Sequence, residues 1–163
     1  MKINKYRIQL GLIIILAVFV LSLLLSLKAT PDMTPFFALK RGQEKVFLKL
    51  KANPLDKVDY MSSLLDSRLE ELQTIVKNKN YDYVLRSALR YSTLAGQITD
   101  MIIANNLTDK IEGTKVQFIN HGKLLDELYV VYPKNLRDNV EWKYIQDDFN
   151  YLQLYLDKLE TVK

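Results

Sequence analysis

Residues 8–27 read IQLGLIIILAVFVLSLLLSL, with no charge and no proline, and Gln9, Ser22 and Ser26 are the only polar side chains. A helix of that length covers ~30 Å at ~1.5 Å per residue, the thickness of a bilayer's hydrocarbon core. It also satisfies its own backbone hydrogen bonds, so no polar group is orphaned in lipid. The run predicts a single transmembrane helix over residues 8–27. An uncleaved anchor fits better than a signal peptide. The apolar stretch exceeds the ~7–15 residues of a signal-peptide core, and Leu27-Lys28-Ala29 is a poor small-x-small cleavage site.

Charge orients the anchor. Lys2, Lys5 and Arg7 lie before or at its edge with no acid among them, and the rest of the chain carries 20 basic against 19 acidic residues. The bare positive flank predicts a cytoplasmic tail (1–7) and an extracytoplasmic location for residues 28–163 at the cell membrane. Lys28, Lys40, Arg41 and Lys45 follow the anchor closely and reduce that bias. The near-neutral remainder, without a basic run interleaved with aromatics, argues against a nucleic-acid partner. The absence of cysteine excludes disulfides, thiolate metal sites, a catalytic thiol and a lipoprotein anchor.

Beyond the anchor, residues 28–34 lack periodicity and read as a stiff spacer that contains Pro31 and is followed by Pro35. Helical spacing then runs to the C-terminus, broken at Asn53-Pro54, Asn78-Lys79-Asn80, Asn105-Asn106 and Pro133-Lys134-Asn135. Five helices follow, at about 35–51, 54–78, 81–104, 108–131 and 138–160. Their expected inward stripes follow i, i+3, i+4, i+7 spacing. They are Phe36, Leu39, Gln43, Val46, Phe47 and Leu50; then Val58, Met61, Leu65, Arg68, Leu72 and Ile75; then Val84, Ala88, Tyr91, Ala95, Ile98 and Ile102. The fourth helix presents Ile111, Phe118, Leu125 and Tyr129 with Gly122 for close contact, and the fifth Trp142, Ile145, Phe149, Leu152, Leu156 and Leu159. Asn53 and Thr108 are the expected caps of the second and fourth helices. The fold class is all-α: one N-terminal transmembrane helix, then an antiparallel bundle of about five helices over residues 35–163, with short loops joining antiparallel neighbours.

The segment 35–72, PFFALKRGQEKVFLKLKANPLDKVDYMSSLLDSRLEEL, carries an LKRxxEK helix, an Asn53-Pro54 start and an Arg68-Leu69-Glu70-Glu71 ending. In these pieces it resembles a bacterial domain-of-unknown-function family that sits outside the membrane behind a single anchor. The likeness extends more loosely to about residue 105 through Ala88-Leu89-Arg90-Tyr91. Some relatives join such a domain to anti-sigma-factor-like cytoplasmic segments. This chain departs there, because its seven-residue tail is too short for one. The resemblance implies placement and fold, and no activity.

Chemistry-bearing residues are sparse. His121 is the only histidine and lies beside the inward stripe of its helix. A metal site needs several convergent ligands, so a packed or solvated histidine is the expectation. The acid pairs Glu70-Glu71, Asp126-Glu127 and Asp147-Asp148 diverge by ~100° per residue and read as solvated faces. No GxSxG, P-loop, GxGxxG or HExxH motif is present, and the sequon Asn106-Leu107-Thr108 matters only in a eukaryotic secretory route. No catalytic, metal or cofactor-binding residue is assigned, and enzymatic activity is not expected.

Two features stand out. Arg68 falls inside an apolar stripe, where a guanidinium needs an anionic partner, with Glu44 or an acid on a later helix the natural choice. Opposite the core stripe of the last helix, Val140, Tyr144, Tyr151, Leu154 and Tyr155 gather on a second face. Such a helix is either sandwiched or offers a docking surface. The leading expectation is an envelope module that holds a protein partner or self-associates. The alternative is a small-ligand sensor that signals through a membrane partner. A pocket lined by Tyr91, Tyr129 and Trp142 favours the sensor; a filled core with an exposed aromatic face favours the interaction module.

Overall fold

The computed structural model describes residues 5–26, 29–31, 34–134 and 140–162; inside its helices the side chains of 5–10, 12, 25 and 34 are not described. All regular elements among the described residues are helical. They are α1 (Lys5–Ser26), α2 (Thr34–Leu50), α3 (Pro54–Lys77), a 3₁₀ turn (Tyr81–Tyr83), α4 (Val84–Ala104), α5 (Thr108–Val131) and α6 (Trp142–Glu160). The all-α expectation holds. The expected start of the last helix at 138, and Leu27 at the end of the apolar run, lie outside the described residues.

Two compact units divide the chain, residues 1–46 and 47–163. The first holds α1 and most of α2. Leu16, Phe19, Leu21 and Leu24 of α1 are all exposed, at positions that circle the helix. Ser22 and Ser26 donate their hydroxyls to Phe19 O and Leu23 O, each at 2.7 Å, so neither needs an outside partner for its proton. Among the described residues no helix is long and apolar enough to cross a membrane. The transmembrane reading therefore rests on the amino-acid sequence.

The second unit is a bundle of α3, α4, α5 and α6. Helix α3 packs on α4, α4 on α6, and α6 on α5, while α5 meets α3 along a thinner seam. Consecutive helices alternate in direction, but α4 and α5 face each other across the diagonal. Two of the neighbouring pairs are thus parallel, a correction to the expected antiparallel neighbours. In the α3–α5 pair, Asp59 meets Lys110 and Asp66 meets His121 further along both chains. The cause lies in α4, which buries a wide arc including Ser87, Ala88, Ser92, Ala95 and Gly96. Small side chains let α3 and α6 both approach it.

The stripes read for α3 and α4 are buried at every position, and in α5 and α6 so are Ile111, Phe118, Leu125, Ile145, Leu152, Leu156 and Leu159. Full burial of one such aliphatic or aromatic side chain contributes ~1.5–3 kcal/mol. Helix α2 is the exception. Phe36, Val46, Phe47 and Leu50 of its expected inward stripe are exposed, whereas Lys40 and Glu44 are buried. Helices α3 to α6 close a core of their own.

The ends follow local chemistry. Asn53 Oδ1 accepts from Leu55 N at 3.0 Å, with Pro54 in the first turn where its missing N–H costs nothing. Helices α3 and α4 stop alike. Asn80 N reaches Ile75 O, Leu107 N reaches Ile102 O, and Lys79 and Asn106 take φ of 60° and 51°. This is the left-handed helix stop that usually selects glycine or asparagine. It displaces the expected Thr108 cap: Leu107 holds the cap position without a side-chain bond, and Thr108 is drawn into the first turn of α5.

Candidate functional site

Among the described residues, nothing covers the outer side of α6. Its buried side faces α4 and α5, and outside it Val140, Tyr151 and Leu154 remain 48%, 47% and 48% exposed. Tyr144 and Tyr155 are half-buried. Tyr155 lies over α4: its hydroxyl is 2.7 Å from where a Cβ on Gly96 would sit, so only glycine admits the ring there. Tyr151 stacks beside it with ring centroids 6.2 Å apart. Gly96 shares one line of α4 with Leu89 and Ile103, seven residues to either side, because seven residues nearly complete two turns. Both are exposed. Leu89 and Ile103 lie two turns to either side of the Tyr155 seat, and the exposed apolar residues of α6 form a strip beside it that Lys158, 5.6 Å over the Tyr155 ring, interrupts. Of the five residues expected on this face, three are free, and Tyr155 contributes through its seat on Gly96.

A second constellation was legible only in part. His121, on α5, is buried and joins α3 to α4. Its Nε2 lies 2.9 Å from Asp66 Oδ1, and its Nδ1 lies 3.0 Å from the Tyr91 hydroxyl. A carboxylate only accepts, so Nε2–H donates to Asp66 and Nδ1 accepts from Tyr91. Burial holds the imidazole below its ordinary pKa, against the pull of Asp66. Burial also raises Tyr91 well above its ordinary value, with Asp148 and Asp66 adding to the shift. Gln117 fixes Asp66 from the side, donating to its Oδ1 at 2.6 Å and to Ser62 O at 2.9 Å. These groups border an open cleft of about 570 Å³ along the α3–α5 seam, which Asp59, Asp109 and Lys110 also line.

Asp148 of α6 completes the series, so each bundle helix supplies one titratable group. It is 2% exposed. Burial pushes its pKa up to about 9, and a hydrogen bond with Ser92 offsets part of that. The Ser92 hydroxyl is shared between Asp148 and Ala88 O, the latter at 3.1 Å. Asp148 Oδ2 has no hydrogen-bond partner among the described residues. The solvated-face expectation is corrected at Asp148 and at Glu71, both buried, and stands at Asp126 and Glu127. The signal was available: Asp148 lies three residues after Ile145 and four before Leu152, on the inward stripe.

Arg68 is 1% exposed and pairs with Glu71 one turn along α3, Nη1 to Oε1 at 2.5 Å. Glu44, the partner expected from sequence, belongs to the first unit, where Arg41 reaches it at 3.4 Å. Tyr129 and Trp142 meet edge to face at 5.8 Å, with the Lys134 ammonium 3.3 Å over the tyrosine ring. These rings are spent on one another, and Tyr91 is fully buried. Among the described residues no group of three or more His, Asp or Glu is placed to hold a metal ion.

The model of a family described as a domain of unknown function (DUF5667) matches residues 28–121, from the spacer through α2, α3 and α4 to His121 in α5. The match reaches further into α5 than the sequence resemblance did, and leaves α6 outside. No curated protein and no solved structure matches the chain.

Proposed function

The chain belongs to the DUF5667 family of unknown function, and from that premise we propose that it is a single-pass membrane protein whose extracytoplasmic helical module binds protein. The N-terminus is cytoplasmic and the bundle lies outside the cell membrane. The apolar, charge-free run of residues 8–27 and the bare Lys2, Lys5 and Arg7 flank support this placement. No catalytic step, cofactor or sigma-factor partner is assigned.

The observation that carries the interaction reading is the exposure of Tyr151 and Leu154 on α6, beside Tyr155 in its seat on Gly96. Tyrosine suits interfaces because it buries a rigid ring and keeps a polar tip. The test replaces Tyr151 and Leu154 with Ser and leaves Tyr155 in place, since its ring fills the Gly96 notch. The double variant should melt within about 1 kcal/mol of the parent, as surface changes do. It should also lose the crosslinks that a photoreactive group at Gln153 forms in intact cells, or lose self-association in detergent. Unchanged crosslinks and unchanged association would overturn the reading. A small-ligand sensor is the second reading, favoured by the polar cleft on the α3–α5 seam, where His121 links the cleft to the bundle interior.

A further inference from the structure

Helix α2 keeps a largely exposed apolar face, touched at its end where the Phe47 ring lies 6.4 Å from that of Tyr60 in α3. Phe36, Val46, Phe47 and Leu50 are exposed, and with Leu39 they occupy one arc at ~100° per residue. The same segment carries Lys40, Arg41, Lys45, Lys49 and Lys51 against the single acid Glu44. A helix with a large apolar face and a basic remainder is built to lie in a membrane interface. Its place along the chain agrees. Seven residues separate α1 from α2, at most ~28 Å of extended chain. Within the first unit α2 is tied to the C-terminal end of α1: Gln43 Nε2 donates to Ser26 Oγ at 3.0 Å and Lys40 Nζ to Ala29 O at 3.4 Å. The middle of α2 therefore sits level with the end of the apolar run.

We propose that α2 lies in the interface of an anionic bilayer, with Phe36, Leu39, Val46, Phe47 and Leu50 toward the acyl chains and the exposed Lys45 and Lys49 toward the headgroups. This rests on the reading of α1 as the anchor. The occupant is the same membrane that α1 spans. Close tethering supplies lipid surface at high local concentration without a further partner, and the basic excess complements anionic headgroups. Helix α2 then acts as a second, weaker attachment.

The chain contains no cysteine, so single cysteines carrying an environment-sensitive fluorophore report one site each. Full-length Phe47→Cys, Leu50→Cys, Lys49→Cys and Ile15→Cys are labelled and reconstituted in phosphatidylcholine vesicles with and without phosphatidylglycerol. Labels at 47 and 50 should emit to the blue, resist aqueous iodide and be quenched by lipids spin-labelled near the headgroup, more strongly with phosphatidylglycerol. The label at 49, ~200° around the helix from 47, should stay open to iodide, and that at 15 should be quenched by deep acyl-chain labels. If 15 is lipid-buried while 47 and 50 are open to iodide, the proposal fails and the anchor stands. If 47 and 50 are shielded from iodide yet unquenched by lipid, protein covers the face and the proposal also fails. Equal quenching without phosphatidylglycerol overturns the anionic preference. Iodide access at 15 removes the anchor and the proposal together.

Discussion

Asp148→Asn is expected to stabilise the bundle at neutral pH. The carboxyl is 2% exposed and its pKa stands at about 9 in place of 3.8. At pH 7 the unfolded chain holds it ionised, so folding must first place a proton on it. At 1.36 kcal/mol per pH unit, the interval between 3.8 and 7 costs about 4 kcal/mol, an upper bound for a site that can relax. The sign follows from the raised pKa. The folded state binds the extra proton, so this contribution is whole below about pH 4 and is lost progressively as pH climbs toward about 9. Asparagine keeps the shape and can still hydrogen-bond to Ser92 without needing the proton.

The variant should therefore gain roughly 1–4 kcal/mol at pH 7, gain more at pH 8, and match the parent near pH 4. Urea unfolding of both proteins in mild detergent, followed by circular dichroism from pH 4 to 9, measures this. His121 acts in the opposite sense, because its lowered pKa removes stability as pH falls below about 6.5. That limb is common to both proteins and cancels in their difference. A difference that does not vary with pH, or a variant weaker at every pH, would refute the argument. Either would mean that Asp148 is held as an anion.

Arg68→Ala strands Glu71 in the core and should cost roughly 3–5 kcal/mol in unfolding free energy. Arg68→Met combined with Glu71→Leu should cost less than the single change, and a double variant as unstable as the single one would argue against the pairing. Lys79→Gly should gain about 0.5–1 kcal/mol, since φ of 60° strains a lysine and suits glycine. A thermal melt unchanged or lowered by that substitution would count against the strained helix stop.

The helices of the bundle were legible because two local signals coincide. Apolar residues recur at helical spacing in Val84, Ala88, Tyr91, Ala95, Ile98 and Ile102, and Pro54, Asn78–Asn80, Asn105–Asn106 and Pro133 punctuate the chain. Periodicity names an apolar face without naming what covers it. That is why the stripe of α2 was read as core and is found exposed. The α6 face was legible as a second apolar arc, but Tyr155 needed the position of Gly96 to be placed. Asp66 was not legible at all. Its importance comes from His121, fifty-five residues away, and no local pattern joins them. Asp148 was hidden by its neighbour: beside the exposed Asp147 it reads as a solvated pair, although the ~100° between adjacent helical residues lets one face the core while the other faces water.

Packing order is where the polar groups act on the fold. An apolar stripe is nearly indifferent to which neighbour covers it, so four such helices could close with α4 beside α5 as easily as across from it. Hydrogen bonds are less forgiving. The Tyr91–His121 bond crosses the diagonal between α4 and α5, the His121–Asp66 bond reaches α3, and the Asp148–Ser92 bond ties α6 to α4. An arrangement that exchanges α5 and α6 would part α3 from α5 and α4 from α6 and so break the second and third of these. It would leave buried polar atoms unpaired, at ~1–3 kcal/mol for each. Against a net stability of ~5–15 kcal/mol for a domain, two such losses are enough to choose between closures. The same bonds keep Ser92 and Asp148 together, one turn before the Gly96 seat of Tyr155. The buried polar series thereby sets the register of α6 on α4, and with it the apolar strip on which the proposed interaction depends.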